Sequence, residues 1–132
     1  MRHPIAPALL AVLVATMTQA PAWAQPPLLS CKTPKHRIAI AQLGPDEYEY
    51  RSWNLPKTTA DKPDVVLRQK DAMKMEGTGV CADNVYTFTT GNVAYQVIDS
   101  VRCTESHPPK GSIAMLSVFV DKEEKAFFWC GR

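Results

Sequence analysis

Apolar side chains recur at every second position through much of the chain. The clearest runs place β-branched, leucine or aromatic residues on one face: Val93, Tyr95 and Val97, then Leu116, Val118 and Val120, and also Tyr48 and Tyr50. A period of two is typical of β-strands, because successive side chains of an extended chain point to opposite faces. Beyond the N-terminal region, no segment keeps the 3.6-residue period of a helix. The pattern therefore predicts an all-β protein.

Turn-forming residues divide the predicted strands into four hairpins. Gly, Asn and Asp adopt tight-turn geometry readily, and the flanking segments are rich in β-branched and aromatic residues. The paired segments are 37–43 with 47–53, 65–68 with 72–76, 85–89 with 93–99, and 113–120 with 125–130. Four hairpins in series predict a small antiparallel meander of about eight strands. We expect it to form a closed or partly open barrel, with a two-sheet sandwich as the alternative.

The N-terminal region differs from the rest of the chain. Arg2 precedes an apolar run at residues 8–15, and Ala22-Trp23-Ala24 forms a small-x-small site before Gln25. This order is typical of a cleaved secretory signal. The apolar run is much shorter than the ~20 residues that a membrane-spanning helix needs, so a retained membrane anchor is the less favoured interpretation.

We therefore predict three parts of the chain. Residues 1–24 are a cleaved signal peptide, residues 25–30 are a flexible leader that contains two prolines, and residues 31–132 are a single β domain. We expect the processed protein in the periplasm or the extracellular space, with no membrane insertion after cleavage.

The charge balance disfavours two classes of partner. The full chain has 15 basic and 13 acidic residues. Cleavage after residue 24 removes only Arg2 from these, which leaves 14 basic and 13 acidic residues and a net charge of +1. Nucleic acids and anionic membranes are bound by clustered Lys and Arg, and the sequence has no such cluster. We expect no nucleic-acid partner.

All four cysteines follow the predicted signal, so they would meet an oxidising compartment. The absence of a Cys-x-x-Cys motif favours two disulfides over a zinc site. Cys81 and Cys103 lie at nearly equivalent distances from the predicted turn at 90–91, so a short bulge would bring them together. Cys31 and Cys130 remain, one before the first predicted strand and one in the last. Their bond would join the two ends of the domain.

Few residues could carry catalysis. After the predicted signal only His36 and His107 remain, and Ser106 neighbours His107 in a proline-rich loop, where sequence neighbours rarely form a catalytic triad. The glycines at 77 and 79 lack the lysine and the following helix of a phosphate-binding loop. We expect neither an enzyme nor a bound cofactor or metal.

Three further groups of residues bear on the packing of the domain. Glu47 and Glu49 are expected on a solvated outer face of their strand. Met73 and Met75 are expected in the core or at its rim. Residues 127–129 are consecutive aromatics, so at least one of them must point outward, where it covers an edge or marks a contact patch.

Residues 76–80 and 86–94 resemble segments of the periplasmic C-type lysozyme inhibitor family. Members of that family are exported eight-stranded barrels with a terminal disulfide. Their Ser-Gly-x-x-Tyr loop and Lys-Gly-x-x-Ala stretch reach into the lysozyme cleft. Thr78-Gly79 matches the Ser-Gly pair and Gly91 matches the second glycine, but Ala82 stands at the tyrosine position and Thr90 at the lysine position. The resemblance implies a barrel with an inhibitory loop.

The leading hypothesis is a non-enzymatic binding or inhibitory protein that presents rigid loops to a protein partner. A cell-wall hydrolase or a toxin delivered to the periplasm would be such a partner. The predicted contact residues are two short polar tips: Thr78, Gly79, Thr90, Gly91 and Asn92. Tips of this kind can be preorganised, which lowers the ordering cost of binding. The alternative is a small-ligand carrier that uses the mouth of a β-barrel.

Overall fold

The computed structural model describes residues 21–132, and this part of the chain is built from nine β-strands. In chain order the strands are β1 Leu29–Lys32, β2 His36–Gly44, β3 Glu47–Asn54, β4 Val65–Lys70, β5 Met73–Glu76, β6 Asp83–Thr90, β7 Val93–Ile98, β8 Ser112–Val120 and β9 Glu123–Gly131. A short 3₁₀ turn, Gly79–Cys81, lies between β5 and β6. The predicted all-β class is confirmed.

The strands form one antiparallel sheet in the order β4-β3-β2-β1-β9-β8-β7-β6-β5. Three of the four predicted hairpins pair as expected, namely β2 with β3, β6 with β7, and β8 with β9. The strand count rises from eight to nine because β1 begins at Leu29, within the segment predicted to be a flexible leader. Leu29 is buried, and its burial against the core fixes this part of the chain in the sheet.

The fourth predicted hairpin is wrong. Segments 65–70 and 73–76 do not pair with each other; β4 pairs with β3, and β5 pairs with β6. Asp71, between them, has a positive φ of 53°, and the two strands follow one another along a single bent segment. Strands placed end to end in this way cannot exchange ladder hydrogen bonds.

Within the described residues the sheet is therefore not closed into a barrel, and it is not divided into two sheets either. The seam between β4 and β6 is bridged by a side chain instead of a ladder. Gln69 Oε1 accepts hydrogen bonds from the Thr89 backbone N–H at 3.0 Å and from the Thr89 hydroxyl at 3.2 Å. The predictions of a closed barrel and of a sandwich are both wrong, because the bent β4–β5 segment forms both edges of one curled sheet.

The core lies on the concave side of this sheet and is largely aromatic. Tyr50 of β3 stacks on Tyr95 of β7, with ring centroids 5.2 Å apart, and contacts Phe88 of β6 at 5.5 Å. Tyr48 meets Tyr86 edge to face at 5.8 Å. These contacts join β3 to β6 and β7, which lie towards the opposite edge of the sheet. Burial of several aromatic rings supplies much of the hydrophobic stabilisation of a domain this small.

The loops fall at two ends of the sheet. One end, which we call the turn end, carries the short β6–β7 and β8–β9 turns together with the connections at 33–35 and 55–64. The opposite end, the link end, carries the connections at 77–82 and 99–111 together with the short β2–β3 turn. The connections at 77–82 and 99–111 are neighbours at the link end, where the Cys81–Cys103 disulfide joins them.

The two disulfides join Cys31 to Cys130 and Cys81 to Cys103, which are the pairs that the spacing predicts. Strands β1 and β9 share only one register pair, Lys32 with Gly131. The Cys31–Cys130 bond therefore provides a covalent link where the ladder is shortest. The Cys81–Cys103 bond ties link 77–82 to link 99–111.

Candidate protein-contact site

The structure places the five predicted contact residues on two separate surfaces. Thr78 and Gly79 precede β6 at the link end, whereas Thr90, Gly91 and Asn92 follow it at the turn end. Strand β6 has eight residues, and at roughly 3.3 Å per residue it holds the two groups about 25 Å apart. The two predicted tips therefore do not lie on one surface, because they occupy opposite ends of the same strand.

The link-end loop at 77–82 is held in one conformation by its own backbone. Gly77 has a φ of +87°, and a Cβ added to it would lie 2.3 Å from the Cys81 carbonyl oxygen. The Cys81 N–H donates to the Thr78 carbonyl at 3.1 Å, and the Ala82 N–H donates to the Gly79 carbonyl at 3.2 Å. Only glycine fits at position 77, since any side chain would strike the turn that follows.

A second set of contacts fastens this loop to link 99–111. Besides the Cys81–Cys103 disulfide, Arg102 Nη2 donates to the Ala82 carbonyl at 3.1 Å and to Asp83 Oδ1 at 2.7 Å. Arg102 Nε also donates to the Ser100 hydroxyl at 3.3 Å. The loop is thus anchored by one covalent bond and one multiply bonded guanidinium, so little further ordering is needed when it meets a partner.

This loop and strand β5 before it carry the two most exposed large apolar side chains of the described residues. Val80 is 80 % exposed and Met75 is 71 % exposed. Met73 packs against the core as predicted, whereas the prediction that Met75 packs in the core or at its rim is wrong, because Met75 lies near the end of the edge strand β5. We call Met75, Thr78, Gly79 and Val80 the Met75–Val80 surface. Exposed apolar groups beside an edge strand are typical of protein-contact sites.

One carboxyl group near the Met75–Val80 surface is held closer to its neutral form. Burial, together with the neighbouring carboxylate of Asp83, raises the pKa of Asp99 above its ordinary value. Asp83 itself is neutralised by the ion pair with Arg102.

The turn-end residues Thr90, Gly91 and Asn92 form a rigid polar turn. Gly91 has a φ of +56°, and Asn92 Nδ2 donates to Asp121 Oδ1 at 3.0 Å. The Asp121 N–H donates in turn to the Asn92 carbonyl at 2.9 Å, which joins the β6–β7 and β8–β9 turns. Thr90, Gly91 and Asn92 are themselves exposed and polar or small. This turn is rigid, but its three residues offer no large apolar side chain to a partner.

An outward-facing aromatic pair lies on β9. Phe127 is 43 % exposed and meets Trp129 edge to face, with ring centroids 5.0 Å apart. Phe128, between them, packs against the core. The prediction that at least one of these three aromatics points outward is confirmed. The pair borders a groove lined by Lys32, Lys110 and Arg132, so it is a basic and apolar surface distinct from the Met75–Val80 surface.

The prediction that Glu49 is solvated is wrong, although its predicted face is right. Glu49 lies on the outer face of β3 as expected, but it is 1 % exposed instead of solvated. Arg51 Nε donates to Glu49 Oε1 at 2.5 Å, Arg68 Nε donates to Oε2 at 2.6 Å, and Trp23 Nε1 donates to Oε1 at 2.9 Å. Burial disfavours the charged carboxylate, but the hydrogen bonds from Arg68 and Arg51 outweigh it and hold the pKa of Glu49 below its ordinary value.

A sequence signal for part of this cluster exists. Glu49 and Arg51 are two residues apart on one strand and so share a face, and Arg68 pairs in register with Glu49. The cover provided by Trp23 has no such signal, since this residue lies within the predicted signal peptide. Residues 1–20 of that predicted peptide lie outside the described part of the chain.

Comparisons with protein-family models, with curated proteins and with solved structures find no match to this chain. Among residues 21–132, no helix has the length and apolar character needed to cross a membrane. In the same part of the chain, no three His, Cys, Asp or Glu side chains are grouped in a way that could hold a metal ion. The candidate site therefore rests on its own geometry.

Proposed function

We propose that this chain is an exported, non-enzymatic binding or inhibitory protein that presents the Met75–Val80 surface to a protein partner. The observation that carries the proposal concerns the two most exposed large apolar side chains of the described residues: Val80 lies in a loop fixed by Gly77 and by the Cys81–Cys103 disulfide, and Met75 lies in the strand before it. Burial of exposed apolar area favours binding, and a loop that is already fixed loses little conformational entropy when it binds.

The resemblance to C-type lysozyme inhibitors supports this proposal through one of its two motifs. Thr78 and Gly79, which match the Ser-Gly pair, belong to the Met75–Val80 surface. Gly91, which matches the second motif, lies at the opposite end of β6. We therefore propose an inhibitor-like contact through the first loop alone, with a C-type lysozyme as the first candidate partner among cell-wall hydrolases and periplasm-delivered toxins.

Export is the second part of the proposal. Two disulfides are typical of proteins that fold in an oxidising compartment, such as the periplasm or the extracellular space. The cleavage site after Ala24 predicts a processed chain that begins at Gln25. An intact-mass measurement on protein recovered from the periplasm of an expression host decides this, because a retained Met1 would contradict cleavage.

The small-ligand carrier is the less favoured function. A carrier of the predicted kind holds its ligand inside the barrel, but here the concave side of the sheet is filled by side chains that include Tyr50, Phe88 and Val97, each 1 % exposed or less. A ligand would have to displace these packed side chains, at a cost comparable to the loss of core packing. A protein contact on the outside has no such cost.

The test compares two exposed valines, Val80 in the fixed loop and Val66 on the edge strand β4. Val80→Asp places a charge in the proposed contact, and Val66→Asp does the same on β4, where Val66 is 40 % exposed. Processed protein is immobilised and exposed to a C-type lysozyme and to periplasmic extract. We expect Val80→Asp to lose capture and Val66→Asp to keep it. Equal capture by both variants would contradict a contact at the Met75–Val80 surface.

A further inference from the structure

Trp23 packs on the outer face of β2 and β3. Trp23 Nε1 donates to Glu49 Oε1 at 2.9 Å, and the Arg51 guanidinium carbon lies 4.2 Å from the centroid of the Trp23 ring. Arg51 Nη2 also donates to the backbone carbonyl of Pro21 at 2.5 Å. Trp23 thus makes both a hydrogen bond to a carboxylate and a cation–π contact with Arg51. Arg51 also binds the main chain at Pro21, two residues before the tryptophan.

The outer face beside this indole ring includes small side chains, and Ala41 lines the same pocket as Trp23. Ala39 and Ala41 pair in register with Arg51 and Glu49, so their small side chains share the outer face with the charged pair. They are 2 % and 4 % exposed. Arg68 holds the second oxygen of Glu49, which fixes the carboxylate in position. We call Ala39, Ala41, Glu49, Arg51 and Arg68 the indole socket.

Trp23 lies before the predicted cleavage site, and this determines what the socket does. If cleavage follows Ala24, as the proposed export requires, the processed protein lacks both Trp23 and Pro21. The socket then loses its indole N–H donor, its ring and its backbone carbonyl together. What remains on this face is Ala39 and Ala41 beside a carboxylate and a guanidinium that already bind each other, with the carboxylate also bound by Arg68.

We infer that in the processed protein the indole socket binds a tryptophan side chain from an extended segment of a protein partner, seated as Pro21–Trp23 is seated here. The inference rests on the proposed export and on cleavage after Ala24. A peptide segment is favoured over a free indole compound because Arg51 binds the backbone carbonyl two residues before the tryptophan as well as its ring. The socket thus selects a carbonyl and an indole at a fixed spacing.

The direct test uses a peptide copied from the chain itself. Acetyl-Pro-Ala-Trp-Ala-amide, the sequence of residues 21–24, is titrated into processed protein whose N-terminus has been established by intact mass. We expect saturable binding with one site. Replacing the tryptophan by phenylalanine removes the N–H donor to Glu49 and should weaken binding about tenfold or more, since hydrogen bonds to charged groups are the stronger class. N-acetyl-tryptophanamide, which lacks the earlier carbonyl, should also bind more weakly than the peptide.

Two variants of the protein sharpen the result. Ala41→Leu places a larger side chain in the socket and should abolish peptide binding while the circular dichroism spectrum stays unchanged. Glu49→Gln keeps the shape but weakens the acceptor, and should reduce affinity about tenfold. If Glu49→Gln fails to fold, Ala41→Leu carries the test alone. Val80→Asp should bind the peptide as the unaltered protein does, which separates failure of the socket from failure of the Met75–Val80 surface.

Three outcomes would overturn the inference. Folded, processed protein that does not bind the peptide at millimolar concentration would show that the socket has no affinity of its own. Equal binding of N-acetyl-tryptophanamide and the peptide would assign the site to small indole compounds. A mass that retains Trp23 would show that the socket is permanently filled by its own chain.

Discussion

The rigidity of the loop at 77–82 is tested most sharply by Gly77→Ala. Gly77 has a φ of +87°, and an added Cβ would lie 2.3 Å from the Cys81 carbonyl oxygen and 3.0 Å from its carbonyl carbon. A side chain forced into this backbone region costs about 1–3 kcal/mol. The steric overlap adds to this cost, because Cys81 is bonded to Cys103 and cannot move away freely. We expect Gly77→Ala to lower the free energy of unfolding by about 2–4 kcal/mol.

Gly79→Ala is the matched control. Gly79 also has a positive φ, +57°, but a Cβ added there would have nothing within 4 Å. Only the backbone preference is then lost, which amounts to about 1 kcal/mol. The two substitutions add the same methyl group two residues apart in one loop. The difference between them therefore isolates the close approach to Cys81.

Urea denaturation followed by tryptophan fluorescence measures both variants. The same comparison is repeated after Cys81 and Cys103 are both replaced by Ala, which frees the backbone of residue 81. In that background the extra cost of Gly77→Ala should shrink, giving a coupling free energy of about 1 kcal/mol or more between the two sites. Equal unfolding free energies for Gly77→Ala and Gly79→Ala would refute the close approach of Cys81 to Gly77, and an unchanged difference without the disulfide would refute the claim that the bond holds Cys81 there.

Two further predictions concern the stability of the whole domain. The cysteines of the Cys31–Cys130 disulfide are 99 residues apart, and in the chain-entropy model replacing both should lower the free energy of unfolding by about 5 kcal/mol. The cysteines of Cys81–Cys103 are 22 apart, and replacing both should lower it by about 3 kcal/mol. The reverse order in calorimetry would contradict this prediction. Glu49 has a folded-state pKa below its ordinary value near 4.5, so its stabilisation is present above that pH and is lost as the pH falls through the folded-state value. The acid transition should be shallower in Glu49→Gln, and an unchanged transition would count against the arginine contacts.

The alternation of apolar residues was sufficient to predict most of the strands but not all of their partners. Residues facing each other across a short turn pair locally, so β2–β3, β6–β7 and β8–β9 follow from spacing alone. Around Asp71 the same signals, two short strands and a polar turn, describe a bent segment whose halves pair with β3 and β6. Those partners are distant in sequence, and a local pattern contains no information about them.

The candidate site was predicted in part for a similar reason. Thr78 and Gly79 were found because glycines beside a cysteine indicate a constrained loop. The exposure of Val80 and Met75 depends on β5 being an edge strand, which only the sheet order reveals. Glu49 was expected in solvent because its strand alternates. Its burial depends on Arg68 across the ladder and on Trp23 above it.

Thr78→Arg and Asn92→Arg together test the central claim most directly. Both residues were predicted contacts, and the structure places them at opposite ends of β6, so each is the control for the other. Each variant introduces one arginine at an exposed position. The measurement is the affinity of processed protein for the partner captured from periplasmic extract, with the melting temperature recorded beside it. We predict that Thr78→Arg abolishes binding and that Asn92→Arg leaves it unchanged, both without a large change in melting temperature. Binding that is retained by Thr78→Arg, or lost only in Asn92→Arg, would contradict the claim that this protein acts through the Met75–Val80 surface.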